Sequence, residues 1–315
     1  MKKAFEENIF NLMKKNEKIV LLTVDNDFID YQSFTQAYPT RCYDFGIAEC
    51  NMVGCAAGFA KEGFIPIAYG VGAFLAYRAN EFIRCDVCLQ NLKVILVGFG
   101  AGAKFNNFGA THHSTEDISV LRVLPNLSLL SPASVNEIQP ILIKAIEHNG
   151  PVYIRLGKAY ETEIFDIIPE FEIGKSEVFR EGSDLTFITT GNIIAEVIQA
   201  ADMLEEAGIS AEIINASSLK PIDTNTILKS ARKTGRVITI EEHQICGGLG
   251  GIVAEILAGY GNFIFDRIGF KDEFVSQYGW HKNILEFYGL DAKSIYAKTI
   301  SILSPYNNPV YKGVD

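Results

Sequence analysis

The sequence predicts an α/β protein of two domains, a parallel sheet covered by helices followed by a second, smaller α/β unit. Three observations carry this reading. Short apolar runs such as Lys18–Asp25 (KIVLLTVD) recur between stretches of helical periodicity, and strands apolar on both faces belong to sheets buried on both sides. The alternation halts at Ile164–Lys175 (IFDIIPEFEIGK) and then restarts. At 315 residues, 48% of them hydrophobic, the chain is long enough to bury two cores.

The elements follow in order. Residues 3–15 place Phe5, Ile9, Leu12 and Met13 on one helical face. Strands are expected at Lys18–Asp25, Arg41–Phe45, Ile65–Tyr69, Lys93–Gly98, Leu127–Ser131 and Val152–Leu156, with helices over 48–62, 74–90 and 134–148 between them. The second half reads as strands at 184–190, 211–215, 236–241 and 263–268, and helices at 193–207, 223–233, 248–259, 281–287 and 291–302. This gives a first domain over 1–163, a linker over 164–180 and a second domain over 181–315.

Composition excludes several function classes. A net charge of −10 argues against a nucleic-acid surface. The start, MKKAFEEN, follows two lysines with Glu6 and Glu7 and lacks the apolar run of a signal peptide. The longest apolar run, Val94–Ala103, is too short to span a bilayer. A soluble, cytoplasmic protein is expected, without membrane contact. Six cysteines are scattered, and Cys85-Asp86-Val87-Cys88 has CxxC spacing. No second CxxC or histidine cluster supports metal binding, and free cysteine in a helix is usually a small buried hydrophobe. Gly98-Phe99-Gly100-Ala101-Gly102 follows a strand but lacks GxGxxG spacing, so a tight turn is expected.

The most informative stretch is Phe45–Gly54 (FGIAECNMVG). It sets Glu49 where a short strand gives way to a helix of small apolar residues. A carboxylate left ionised and unpaired there would cost several kcal/mol. Glu49 is therefore paired, protonated or working on a ligand. A helix-capping acid and a functional acid both fit the local stretch.

The wider pattern narrows the choice. Gly46–Gly63 (GIAECNMVGCAAGFAKEG), Phe74–Arg84 (FLAYRANEFIR), Gly109-Ala110-Thr111-His112, Ser131-Pro132-Ala133 and Gly150–Gly157 (GPVYIRLG) occur in this order, followed by Glu241-Glu242-His243 and Gly247–Gly250 (GGLG). Together they resemble the transketolase family, whose members use thiamine diphosphate. The resemblance covers nearly the whole chain: a pyrimidine-binding domain, then the smaller transketolase C-terminal domain.

It implies roles residue by residue. Glu49 matches the family acid that hydrogen-bonds the aminopyrimidine ring and promotes its imino tautomer. Phe74 and Tyr77 match aromatic positions lining the aminopyrimidine pocket, although spaced aromatics on a helix are also ordinary core. The third aromatic of that series is Asn80 here. His112 matches a histidine facing the reacting carbon, and histidine is the natural proton shuttle near neutral pH. His113 has no assigned counterpart. Arg155 matches an arginine gripping a substrate phosphate, for which a guanidinium fork is suited.

The departures lie on the sugar side. A family acid that recognises a substrate hydroxyl is Phe108 here, and a second family histidine falls at Gly100. A phosphate-binding serine falls near Ile29, and an N-terminal arginine at Lys2. The resemblance thus implies a sugar or sugar-phosphate substrate unlike a simple pentose phosphate. No GDG…N diphosphate-and-metal motif occurs in the chain. A separate N-terminal diphosphate-binding subunit is therefore expected, holding Mg²⁺ or Ca²⁺, with self-association to a heterotetramer and no metal site on this chain. The expected function is the C-terminal subunit of a split transketolase. A deoxyxylulose-phosphate-synthase-like or 2-oxo-acid-dehydrogenase β-like subunit stays open, as does a catalytically silent scaffolding subunit.

Overall fold

The computed structural model describes residues 1–25, 29–158 and 162–304. The end of the domain expected to run to 315 lies outside them. The first half runs α1 (Lys2–Lys15), β1 (Ile19–Thr23), α2 (Tyr31–Ala37), β2 (Cys42–Asp44), α3 (Glu49–Lys61) and β3 (Ile65–Val71). Next come a π-helical segment Phe74–Arg78, one α turn α4 (Asn80–Phe82) and a second π-helical segment Ile83–Cys88. β4 (Ile95–Phe99), α5 (Asp117–Arg122), β5 (Ser128–Leu130), α6 (Ile138–Glu147) and β6 (Val152–Leu156) complete this half. The second half comprises β7 (Glu177–Arg180), β8 (Leu185–Thr190), α7 (Ile194–Glu206), β9 (Ala211–Asn215), β10 (Ser218–Lys220), α8 (Thr224–Thr234), β11 (Arg236–Gln244), α9 (Leu249–Leu257), β12 (Ile264–Phe270), α10 (His281–Tyr288) and α11 (Ala292–Leu303).

The first sheet has the order β10-β5-β6-β4-β3-β1-β2. It is parallel except at β10, which pairs antiparallel with β5. The second sheet has the order β12-β11-β8-β9-β7 and is parallel except at β7. Two features depart from the expected division of the chain. β7 lies inside the stretch read as a linker, and β10, from the second half, closes the edge of the first sheet. Both are short edge strands, whose pairing is decided by a distant partner and not by local periodicity.

The central strands β1, β3 and β4 are buried on both faces for a visible reason. Ile19 and Leu21 of β1 join one apolar cluster with α1 and α6, while Val20 and Leu22 join another beneath α3. That second cluster continues through Ile188, Ile214, Val237 and Leu249 of the second half. One core therefore spans the seam between the halves. Arg122 pairs with Glu255, and Ser119 Oγ donates to the Cys246 carbonyl at 2.7 Å, across the same seam.

The expected single helix over 74–90 is instead two π segments about one α turn. Widened turns of this kind shift the side chains they carry and are frequent at functional sites. Here they carry Phe74, Tyr77 and Arg78.

Candidate active site

The carboxyl ends of parallel strands are where α/β sheets collect ligands, and three expected residues come from that end together with one not expected, Lys158. Glu49 follows β2, Phe74 follows β3, His112 sits on the segment after β4, and Lys158 follows β6.

Glu49 opens α3 and is only 2% exposed. It is not unpaired. Arg78 Nη1 donates to its Oε2 at 2.6 Å, and the Arg78 side chain remains 46% exposed. The cation lies 29 residues away in sequence, brought to Glu49 by the π segment. The Arg78 guanidinium also lies over the Phe74 ring, 4.8 Å from its centroid. Phe74 also meets His112 edge-on at 5.0 Å. Glu49, Arg78, Phe74 and His112 thus form one continuous chain of contacts.

His112 is half-buried. Its ring lies 5.6 Å from Phe105 and 4.9 Å from Phe108, and its Nδ1 is 2.9 Å from Thr111 Oγ1. Burial first, then the positive charge of Lys158, holds His112 below the ordinary histidine range. Lys158 Nζ stands 4.5 Å over the Phe105 ring and 5.6 Å from Phe108. Burial also pushes its own pKa down. Phe108 is 55% exposed, so the wall beside His112 is aromatic, open and capped by a cation.

The other expected residues lie elsewhere. The Tyr77 hydroxyl donates to Glu116 Oε2 at 2.8 Å and accepts from the Glu116 N–H at 3.0 Å, so it serves the start of α5. The Asn80 amide donates back to the Ala76 carbonyl at 3.2 Å. Gly100 has φ +84°, and a Cβ there would overlap the Phe105 ring. The Phe105 ring packs directly against this glycine. Ile29 is a core residue, and Lys2 pairs with Glu6 at 3.7 Å.

Arg155 is tied into the protein itself. It is 4% exposed and its Nε donates to both oxygens of Asp117, at 3.0 and 2.9 Å. Its Nη2 donates to the carbonyls of Ser114 at 2.8 Å and Glu242 at 3.0 Å. Burial works against its charge, but Asp117, Tyr153 and Glu242 together offset this and hold its pKa above the usual arginine value. Nε and Nη2 of this guanidinium are thus committed to protein partners. The cation facing the site is Lys158. Sequence reasoning passed over Lys158 and Asp117. The available signals were a lysine two residues beyond a strand end and an acid pair, Glu116-Asp117, soon after His112.

Residues 1–160 match the transketolase pyrimidine-binding domain and residues 174–295 the transketolase C-terminal domain. The chain belongs to the transketolase family. Among relatives of this family, the chain is 37% identical over 270 residues to an apulose-4-phosphate transketolase subunit of Actinobacillus succinogenes, covering 85% of this chain and 87% of the relative. It is 35% identical over 298 residues to a 6-deoxy-6-sulfo-D-fructose transketolase subunit of a Clostridium species, covering 94% and 92%. Among solved structures it resembles a split-gene transketolase, described as an inactive β4 tetramer, with a TM-score of 0.85, 38% identity and coverage of 96% and 97%. 1-Deoxy-D-xylulose-5-phosphate synthases also match, but the chain spans about half their length.

For a transketolase, the residues present fit one end of thiamine diphosphate. Glu49 offers a buried carboxylate and Phe74 a ring face, as the aminopyrimidine needs. Among the described residues, no group of three or more His, Cys, Asp or Glu could hold a metal ion. Nor is any described helix long and apolar enough to cross a membrane.

Proposed function

We propose that this chain is the pyrimidine-binding subunit of a split, thiamine-diphosphate-dependent transketolase that moves a two-carbon ketol unit between sugars, at least one of them modified. The observation that carries the reading is the buried Glu49, joined through Arg78 to the Phe74 ring that His112 meets edge-on. Bound thiamine diphosphate supplies the carbon nucleophile; the protein supplies orientation and proton control. Glu49 would hold the aminopyrimidine end of that group. Arg78, half in water, anchors the carboxylate. Thr111 engages Nδ1 of His112, which leaves Nε2 to exchange a proton with the substrate oxygen. Burial and Lys158 favour the neutral ring, the form that accepts a proton.

Phe105, Phe108 and Lys158 frame the sugar. They offer apolar surface and one cation where the family places an acid and a histidine. A sugar with fewer recognised hydroxyls and an anionic end suits them, and two relatives act on modified sugars by name. The diphosphate and its Mg²⁺ or Ca²⁺ belong on a separate partner subunit in the cytoplasm, within a heterotetramer active only when complete.

The reading is tested by calorimetry and a substrate panel. The chain alone should bind thiamine diphosphate weakly and show no turnover; micromolar affinity without a partner would refute the divided site. With partner, xylulose and ribose 5-phosphates should be poor substrates. Values of kcat/KM of about 10⁴ M⁻¹s⁻¹ or above for them would show that Phe108 and Gly100 leave specificity unchanged.

A further inference from the structure

The segment between β4 and α5 carries Phe105, Phe108 and His112, and its neck is closed by backbone pairing. Gly102 N–H donates to the Ser114 carbonyl at 3.1 Å, and Ser114 N–H to the Gly102 carbonyl at 2.9 Å. Arg155 grips the Ser114 side of this neck from behind. The other side is gripped by the second half of the molecule. Glu242, on β11, accepts from the Ala103 N–H at 2.8 Å, and the same Oε1 lies 2.8 Å from His281 Nε2 at the start of α10. A Cβ on Gly102 would overlap the Glu242 carboxylate, so the glycine makes room for it.

The Glu242 side chain is 6% exposed and that of His281 21%. Burial works against the charge of Glu242, but the charge and hydrogen bond of His281, with Lys104 and the Ala103 N–H, hold its pKa down to about 2. A buried carboxylate held by one backbone N–H alone would be costly. His281 makes the grip stable. His113, buried on the same segment, also feels the charges of Glu242 and His281.

We propose that Glu242 and His281 are positioning residues that clamp the neck of this segment from the second domain and so set where His112 and Phe108 stand, although neither touches the site. The inference rests on the reading of His112 as the residue that faces the substrate. It assigns the C-terminal domain a part in the site beyond its packing contacts.

The test uses the complex reconstituted with its partner subunit and four variants: His281→Ala, His281→Gln, Glu242→Gln and, as a control on another seam contact, Arg122→Ala. Turnover and amide exchange over residues 103–113 are measured together. His281→Ala should lower kcat by about tenfold or more with KM within about twofold, since small misplacements of a catalytic group are costly. Exchange over 103–113 should rise by a similar factor while the sheets stay protected. Glu242→Gln should act in the same direction. His281→Gln, whose amide can still donate to Glu242, should recover most of the loss, and Arg122→Ala should change neither readout. Unchanged exchange over 103–113 in His281→Ala would overturn the proposal. So would a uniform rise in exchange over both domains, matched by Arg122→Ala, which would mark an ordinary domain contact. A wild-type complex without ketol transfer would refute the functional reading instead, while the exchange data would still decide the clamp.

Discussion

Two carboxylate–guanidinium pairs meet this molecule's upper edge, and they differ in one respect. Glu49–Arg78 and Asp117–Arg155 are similar in length, 2.6 and 2.9 Å. Arg78 is 46% exposed, whereas Arg155 is 4% exposed and Asp117 wholly buried. In the first pair the cation stands in water and can be displaced at low cost to itself, provided another group takes over the buried Glu49 carboxylate. A pair sealed from water is expensive to break because the survivor keeps an uncompensated charge. The first is therefore suited to exchange its cation for a ligand, and the second to hold a frame. The comparison teaches that an arginine at a strand's end is not a ligand grip by position alone; its partners decide.

The comparison is broken most severely at the sealed pair. Asp117→Asn keeps the shape but leaves Arg155 charged without its counter-ion. It should cost about 3–5 kcal/mol and lower Tm by roughly 10 °C, read by calorimetry. A change within a degree or two would mean that the Ser114 and Glu242 carbonyls suffice to hold Arg155.

Lys158 sharpens the contrast from the other side. If it, and not Arg155, meets the anionic end of the sugar, Lys158→Met should raise KM for the anionic substrate by roughly tenfold to a hundredfold, as expected for a hydrogen bond to a charged group worth about 1.5–3 kcal/mol. Folding should be unaffected. An unchanged KM in steady-state kinetics would return the search for the anion site to the partner subunit.

The smallest effect concerns pH. Glu137 lies on the seam, where its carboxylate accepts from the Ala133 N–H, Ser217 Oγ and Asn215 Nδ2. Burial raises its pKa to about 7, against those hydrogen bonds. A raised carboxyl contributes stability that is full below its unfolded value, near 4.5, and is lost as pH rises through about 7. Glu137→Gln should flatten the fall in stability between those limits, measured by denaturant titration across pH. An unchanged slope would assign it to other groups, Glu241 among them, whose pKa burial also raises to about 7.

Much of this architecture is legible in the residues. The all-apolar run Ile65–Val71 must be a strand buried on both faces, and the amphipathic spacing of Phe5, Ile9 and Met13 must be a helix against it. Glu49 is legible because a carboxylate opening an apolar helix requires a partner. The partner itself is not. Arg78 lies inside a run read for its aromatics, and a π segment, not a regular helix, turns it toward Glu49. Asp117 and Arg155 meet across 38 residues, and β10 reaches β5 from the far half of the chain. Such pairings depend on how finished elements pack, which local periodicity does not encode. The same holds at Gly100, whose lack of a side chain makes sense only once the Phe105 ring is seen against it.

The central claim is that Glu49 is an acid held for a cofactor and not a helix cap. It is tested most directly by Glu49→Gln in the reconstituted complex, with ketol transfer followed in steady state. The account predicts a loss of turnover on the order of 10²-fold or more, with assembly and Tm preserved, because glutamine keeps the shape and can still sit beside Arg78. Near-normal turnover in that variant would contradict it and leave Glu49 a structural partner of Arg78.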